Sequence, residues 1–352
     1  MEERKSLYDI SWKVDEPTYR ADPALSYSKI SRYQKVGFNG LDHIDDKIES
    51  PSLTFGSAVD SIITGGQKEF EERFIVADYP DTPDSVIKIV KSLFNQFSDT
   101  ATSLDEIKDS DIILETEVQE YQKNWKPATR AKVIKEKGSE YYNILYIAED
   151  KTVLNNDMYA DVMNAVDALK TSPATKFYFE DDNPFDDDIE RLYQLKFKGT
   201  IDDVPYRCMA DEIVVDYKNK TIQPVDLKTS SYKEWDFFKA FVDWHYQLQA
   251  RLYWLLIKKT VEKDDFFKDF KVLDYKFIVV NKETLTPLVW DCPFTQSIGT
   301  LTFGKNNQIE FRHPCDLGKE LYGYIQQGEQ AKVPNGVDRF KSNNLTTWLN
   351  TL

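Results

Sequence analysis

The chain has 352 residues, with 45 Lys and Arg against 60 Asp and Glu, for a net charge of −15. At 41% hydrophobic and 14% aromatic content it can bury a large core, which excludes a wholly disordered or fibrous chain. As an average, the acidity also argues against a nucleic-acid partner, because carboxylates and phosphates repel.

The three cysteines, Cys208, Cys292 and Cys315, have the spacing of neither a disulfide framework nor a zinc site. They are too few for the four thiolates of an iron–sulfur cluster. Reduced thiols in a cytoplasmic protein are the expectation. Met1 to Arg4 leads into charged residues with no apolar signal-peptide core, and no run of 18 apolar residues occurs, so no membrane span is expected.

In chain order, Ser26 opens a helical segment over Ser28 to Lys35, with Ile30 and Tyr33 on one face. A second helix begins after Thr54, carries Ala58, Val59, Ile62 and Ile63, and stops at Gly65-Gly66. Ser85 to Phe97 has the amphipathic pattern Val86, Ile89, Val90, Leu93, Phe94, Phe97. Segments near 105–123, 128–147 and 155–170 also read as helices. After Pro173 the pattern turns to strands: Leu192 to Phe197, Tyr206 to Val215 and Thr221 to Leu227, with turns at Gly199 to Pro205 and Lys218 to Lys220. Helical sequence follows from Ser231, above all Tyr246 to Val261. Two further strands, Tyr275 to Val280 and Pro287 to Trp290, precede a closing helix from Cys315 to Gln327. The expectation is an α/β fold, a central mixed sheet flanked by helices with a helical N-terminal half. Without a Gly, Ser or Pro-rich linker, 24–330 reads as one domain, 1–23 as an N-terminal extension and 331–352 as a tail.

Two charge blocks stand out. Glu180 to Glu190 holds seven acids in eleven residues, nearly half of the net charge. Lys123 to Lys137 holds six cations against one acid, Glu136. On a helix, Lys123, Lys126 and Arg130 would share a face. By itself such a strip is more often a solvated face than a phosphate-binding one.

Chemistry concentrates between residues 194 and 253. Asp211 lies in a predicted strand, and fifteen residues later comes Asp226-Leu227-Lys228. A hairpin of that separation can set Asp211 beside Asp226, and the strand period of two puts Asp226 and Lys228 on one face. Two carboxylates suit a hard cation such as Mg²⁺ or Mn²⁺. The cation can acidify a bound water, and the lysine can orient or deprotonate that water. A bare D-x-K is common, so context decides. Gln249 and Tyr253 share one face of the long apolar helix.

The ordered set Asp211, Asp226-x-Lys228 and Gln249-x-x-x-Tyr253 resembles the PD-(D/E)xK nuclease superfamily, in its RecB-like branch. The stretches SYSKISRYQK, TFGSAVDSIITGGQKEFEERFIVAD, DVPYRCMADEIVVD and YKFIVVNKETLTPLVW extend the likeness to RecE-type, exonuclease VIII-like phage and prophage exonucleases, over about residues 24–330. The resemblance implies a restriction-endonuclease-like core. It implies that Asp211 and Asp226 bind Mg²⁺ or Mn²⁺ with the Leu227 carbonyl, that Lys228 is the catalytic lysine, and that Gln249 and Tyr253 stand near DNA and the site. It further implies a ring-shaped homo-oligomer in a bacterial host cytoplasm. That assembly would resect duplex DNA ends 5′ to 3′ for a single-strand annealing partner.

Two positions depart from the family pattern. Where G-T-x-x-H is usual, the chain has Gly56-Ser57-Ala58-Val59-Asp60, so Asp60 stands for the histidine ligand and would shift preference from Mn²⁺ toward Mg²⁺. Where a glutamate is common, the match is Gln194. Ser57, Lys126, Arg130, Lys132 and Gln249 are the candidate nucleic-acid contacts. The alternatives are a non-cleaving DNA-end or recombination-partner binder of the same fold, and a structure-processing endonuclease. Gly299 to Asn306 mimics a phosphate-binding loop but lacks its final Ser or Thr, and reads as an ordinary loop. His43, His245 and His313 lack the partners of a hydrolase triad.

Overall fold

Residues 4–46, 48, 50–79, 82–180, 188–292, 295–297, 299–303 and 307–327 are described by the structure, a computed structural model. The chain forms two compact units, one of residues 1–48 with 169–352 and one of residues 49–168.

Helix α1 (Glu16–Ala21) starts where the Asp15 side chain accepts the Thr18 N–H at 2.8 Å. Helix α2 (Tyr27–Val36) buries Ile30 and Tyr33, as their spacing requires, and ends at Gly37 with φ 64°, a conformation that costs glycine little. Helix α3 (Pro51–Arg73) differs from expectation. Gly66 leaves the helical region at φ 72°, but helical structure resumes beyond it instead of stopping.

The second unit continues with strand β1 (Phe74–Val76) and helices α4 (Asp84–Phe97), α5 (Asp109–Val118) and α6 (Pro127–Ala148). Strand β2 (Thr152–Leu154) pairs in parallel with β1, and helix α7 (Asn156–Thr171) follows. Val86, Ile89, Val90 and Leu93 of α4 meet Ile112 of α5 and Ile134 and Tyr142 of α6 in a core of their own. The expected helix over 105–123 is shorter, because Glu120 and Gln122 take positive φ (56° and 45°).

Helix α8 (Lys176–Phe179) precedes the main sheet. Strands β3 (Ile189–Ile201), β4 (Val204–Asp216) and β5 (Thr221–Ser230) form an antiparallel meander. Their β3–β4 turn is tighter than the expected Gly199 to Pro205. Gly199 still pairs with Tyr206, and Asp202 and Asp203, at φ 50° and 65°, make the reversal. Helices α9 (Phe237–Asp243) and α10 (Tyr246–Val261) then cross over, with β6 (Lys271–Val272) and β7 (Lys276–Asn281) pairing parallel to β5. A parallel neighbour demands such a crossover. Strand β8 (Pro287–Asp291) returns antiparallel to β7, giving the order β3-β4-β5-β7-β8 in a mixed sheet flanked by helices, as expected.

A hairpin of β9 (Thr300–Phe303) and β10 (Asn307–Glu310) replaces the loop expected at the phosphate-loop mimic, whose residues 304–306 lie outside the described residues. Helix α11 (Pro314–Gln327) closes the described chain. Its Gly318 lies so near Tyr206 of β4 that a Cβ there would come within 2.1 Å of the Tyr206 hydroxyl.

Leu248, Leu252 and Leu256 of α10 pack in one core with Leu195, Phe197, Tyr206, Cys208 and Phe277 of the sheet. The residues expected as an N-terminal extension belong to this unit. Leu7 is in its core, and the Trp12 N–H bonds the Lys196 carbonyl at 2.7 Å. Cys208, Cys292 and Cys315 are buried. Residues 181–187 of the acidic block and the 331–352 tail lie outside the described residues. Among the described residues, no helix is long and apolar enough to cross a membrane.

Candidate functional site

The site begins where the sheet opens. The β4–β5 ladder runs from Asp216–Thr221 to Glu212–Val225 and ends there, so Asp211 and Asp226 stand at its open mouth. The other edge of β4 is disturbed at the same level. Tyr193–Glu212 and Leu195–Ala210 are paired, but Gln194 between them takes φ 54°. The pairing register is the same on both sides of Gln194, so no residue is inserted there, but its left-handed backbone departs from regular strand conformation. Gln194 is opposite Asp211 in register.

Asp211 turns toward β5, where its Oδ2 accepts the Leu227 N–H at 2.9 Å. A strand residue projects its N–H and C=O from the same edge, so the Leu227 carbonyl lies on the edge that Asp211 faces. Asp226, next in β5, is fully buried. Its Oδ2 is ion-paired with Lys228 Nζ, and its Oδ1 accepts the side-chain N–H of Gln249 from α10. The predicted carboxylate pair, lysine and glutamine therefore come together.

The sequence reading missed one member. Lys228 Nζ also stands 5.1 Å from the centre of the Tyr246 ring, which itself stacks on Phe237 and Phe277. The signal was available. Tyr246, Gln249 and Tyr253 recur at helical spacing on one face of α10, and only the last two were singled out.

Electrostatics follow from burial. Desolvation raises the Asp226 carboxyl above the usual carboxylate range, against the opposing pull of Lys228, Asp211 and Gln249. For Lys228, burial pulls the other way, but Asp226, with Tyr246 and Asp211, more than offsets it and holds the amine as an ammonium. Tyr253 is nearly buried and packs edge-on to Tyr275 at 6.1 Å. Both phenols are raised well above their ordinary range, first by burial and then by Asp226 and Asp211 among other neighbours. Both phenols lie close enough to Asp226 and Asp211 to feel their charge. The Tyr275 hydroxyl and the Gln249 carbonyl oxygen are buried with no hydrogen-bond partner among the described residues. Such groups cost about 1–3 kcal/mol each and are tolerated where a site needs them.

Gln249 supplies a hydrogen bond to a buried carboxylate, an interaction of roughly 1.5–3 kcal/mol. Gln249→Leu is expected to lower the unfolding free energy by about that amount. Urea denaturation checks it, and an unchanged midpoint would show the bond to be dispensable.

The other candidate residues belong to the second unit. Asp60 and exposed Ser57 are on α3 of the second unit. The basic strip is not the helix face expected. Helix α6 begins at Pro127, so Lys123 and Lys126 precede it. Arg130 is buried and paired with Glu117 at 3.2 Å. Lys132 pairs with Glu136 at 3.5 Å, Lys123 with Glu120 at 2.6 Å and Lys135 with Asp109 at 2.8 Å. Acids distant in sequence, Glu117 and Asp109, fold back onto cations that looked unopposed. Among the described residues, no group of three or more His, Cys, Asp or Glu side chains is placed to hold a metal ion.

No family model and no curated protein matches this chain. Among solved structures it is similar to a candidate exonuclease from Eubacterium rectale, with 11% sequence identity and a TM-score of 0.40 over 91% of this chain and 85% of that one.

Proposed function

We propose that this protein is a Mg²⁺- or Mn²⁺-dependent deoxyribonuclease that resects linear duplex ends, 5′ to 3′, for recombination by strand annealing. The observation that carries the reading is the convergence of Asp211, Asp226, Lys228 and Gln249 at the opened end of the β4–β5 ladder. That arrangement is the one the PD-(D/E)xK resemblance leads us to expect.

The residues present fit a hard divalent cation. Asp211, Asp226 and the Leu227 carbonyl are all oxygen donors, and Mg²⁺ commonly binds through one or two carboxylates with waters and phosphate oxygens. Bound there, the cation would supply an acidified water and neutralise charge on a phosphodiester. The protein's own residues do the rest. Gln249 fixes the rotamer of Asp226 from below. The Leu227 N–H holds the Asp211 carboxylate. Lys228, held protonated, donates to a phosphate oxygen as the water oxygen bonds to phosphorus and the ester P–O bond breaks; the proton the water gives up passes to solvent, and the departing oxygen takes one up from solvent. A charged Lys228 serves as a donor and orienting group more readily than as a base. Contacts to phosphate, not to base edges, are expected.

End-labelled linear duplex and closed circular DNA, each with Mg²⁺, Mn²⁺ or chelator, test the reading on the intact chain. Metal-dependent loss of the linear substrate alone is expected. Loss of both indicates an endonuclease, and DNA binding without cleavage in either metal indicates a non-cleaving relative.

A further inference from the structure

The connection between β5 and α10 carries an unusual surface. It leaves the sheet two residues after Lys228, at Ser230, and ends where α10 begins at Tyr246, whose ring faces Lys228. Within it, Trp235 is 70% exposed, Trp244 52% and Phe238 36%. Large aromatic rings are costly to leave in water, and three in ten residues are not scattered exposure.

Each ring has an ammonium over it. Lys233 Nζ lies 5.3 Å from the Trp235 ring centre, Lys239 Nζ 6.0 Å from Phe238, and Lys35 Nζ, from α2, 5.0 Å from Trp244. Nearby acids are engaged locally. Asp236 pairs with Lys239 at 2.9 Å, Asp243 accepts the Tyr232 hydroxyl at 3.1 Å, and Glu234 accepts the Thr284 hydroxyl. The segment is anchored at both ends. Asn281 Nδ2 donates to the Tyr232 carbonyl at 2.7 Å, and the Tyr27 hydroxyl donates to the Trp244 carbonyl at 2.6 Å.

We propose that Trp235, Phe238 and Trp244, with Lys233, Lys239 and Lys35, form a stacking platform for an unpaired DNA strand beside the Asp226–Lys228 site; the proposal rests on the nuclease reading for its substrate. Exposed π faces interleaved with cations are what single-stranded nucleic acid binds: bases stack on the rings and ammonium groups meet the phosphates. Trp235, Phe238 and Trp244 fall within ten consecutive residues of one connection, from a 3-10 turn through a short helix to its C-cap. Because cations and acids nearly balance here, stacking dominates, and salt dependence at this surface is shallow.

The test uses the full-length protein in chelator, so that no cleavage is needed. Binding of unlabelled oligothymidylate is followed by quenching of tryptophan emission and confirmed with a fluorescently tagged oligonucleotide by anisotropy. Trp235→Ala and Trp244→Ala are each expected to weaken binding at least ~5-fold, and Trp→Phe at either position to retain most of it. The slope of affinity against salt should change little in the Ala variants. Circular dichroism checks that each variant is folded. Folded Ala variants that bind the oligonucleotide like the wild type overturn the platform. So does concentration-dependent self-association of the wild type that the same substitutions abolish without affecting the oligonucleotide, since the rings would then serve a second copy. A wild type that binds the strand through these rings but never cleaves duplex in metal sustains the platform while removing the nuclease reading.

Discussion

Lys228→Met, Asp226→Asn and the double variant should give three different patterns of stability but one of activity. Removing Lys228 alone leaves the fully buried Asp226 carboxylate without its ion-pair partner. Breaking a buried pair in that way costs about 3–5 kcal/mol. The double variant replaces both charges by neutral groups of similar shape and should recover most of that loss. None should degrade linear duplex appreciably. Loss of the lysine alone should lower single-turnover cleavage by roughly 10²–10⁴-fold, the usual share of a positioned proton donor or acceptor. A stable double variant with wild-type cleavage would show that the pair is structural, and the catalytic reading would fail. The design separates a folding defect from a chemical one, which the single substitution cannot do.

Mg²⁺ should stabilise the wild-type protein against heat, through the same carboxylates. A ligand that binds only the folded state stabilises it by mass action, about 2.7 kcal/mol at 100 times its dissociation constant. For a unit of this size the melting temperature would rise by roughly 5–10 °C. Asp226→Asn should lose the response, because an amide is a poor ligand for a hard cation and Asp211 alone is left. Differential scanning fluorimetry with and without chelator measures this independently of DNA. A wild-type melting temperature that ignores Mg²⁺ and Mn²⁺ at concentrations supporting cleavage would take Asp226 out of cation binding.

The net charge of −15 is an average over acids that the fold engages one by one. Acids near the site are withdrawn into particular bonds: Asp226 to Lys228 and Gln249, Asp211 to the Leu227 N–H. The same withdrawal works against the basic strip. Arg130 looked available because its neighbours in sequence are cationic, yet Glu117 closes on it. Charge runs describe a chain, while ion pairs describe a fold.

Much of the architecture was legible because it rests on local periodicity. The apolar spacing of Val86 to Leu93 and of Leu248 to Leu256 can be satisfied only by helices with one face in a core. The β-branched runs of β4, β5 and β7 suit strands, and the spacing of Asp226 and Lys228 fixes their common face. Gln249 was conspicuous as a polar residue on an apolar helix. Some features depended on backbone choices that composition states only weakly. Asp202-Asp203 made the turn instead of Gly199, and helical structure outlived Gly66.

What only the tertiary structure decided is the opening of the sheet. Nothing local in the sequence says that the β4–β5 ladder stops at Glu212–Val225, or that Gln194 takes a left-handed conformation across from Asp211. These arise from non-local pairing, which frees one edge of β4 and turns a carboxylate toward Leu227. The same holds for Tyr246 beneath Lys228 and for the tryptophans of the β5–α10 connection, whose exposure depends on what the rest of the chain covers. The sequence by itself determined which side chains are chemically able to act. Burial and long-range packing decided which of them meet.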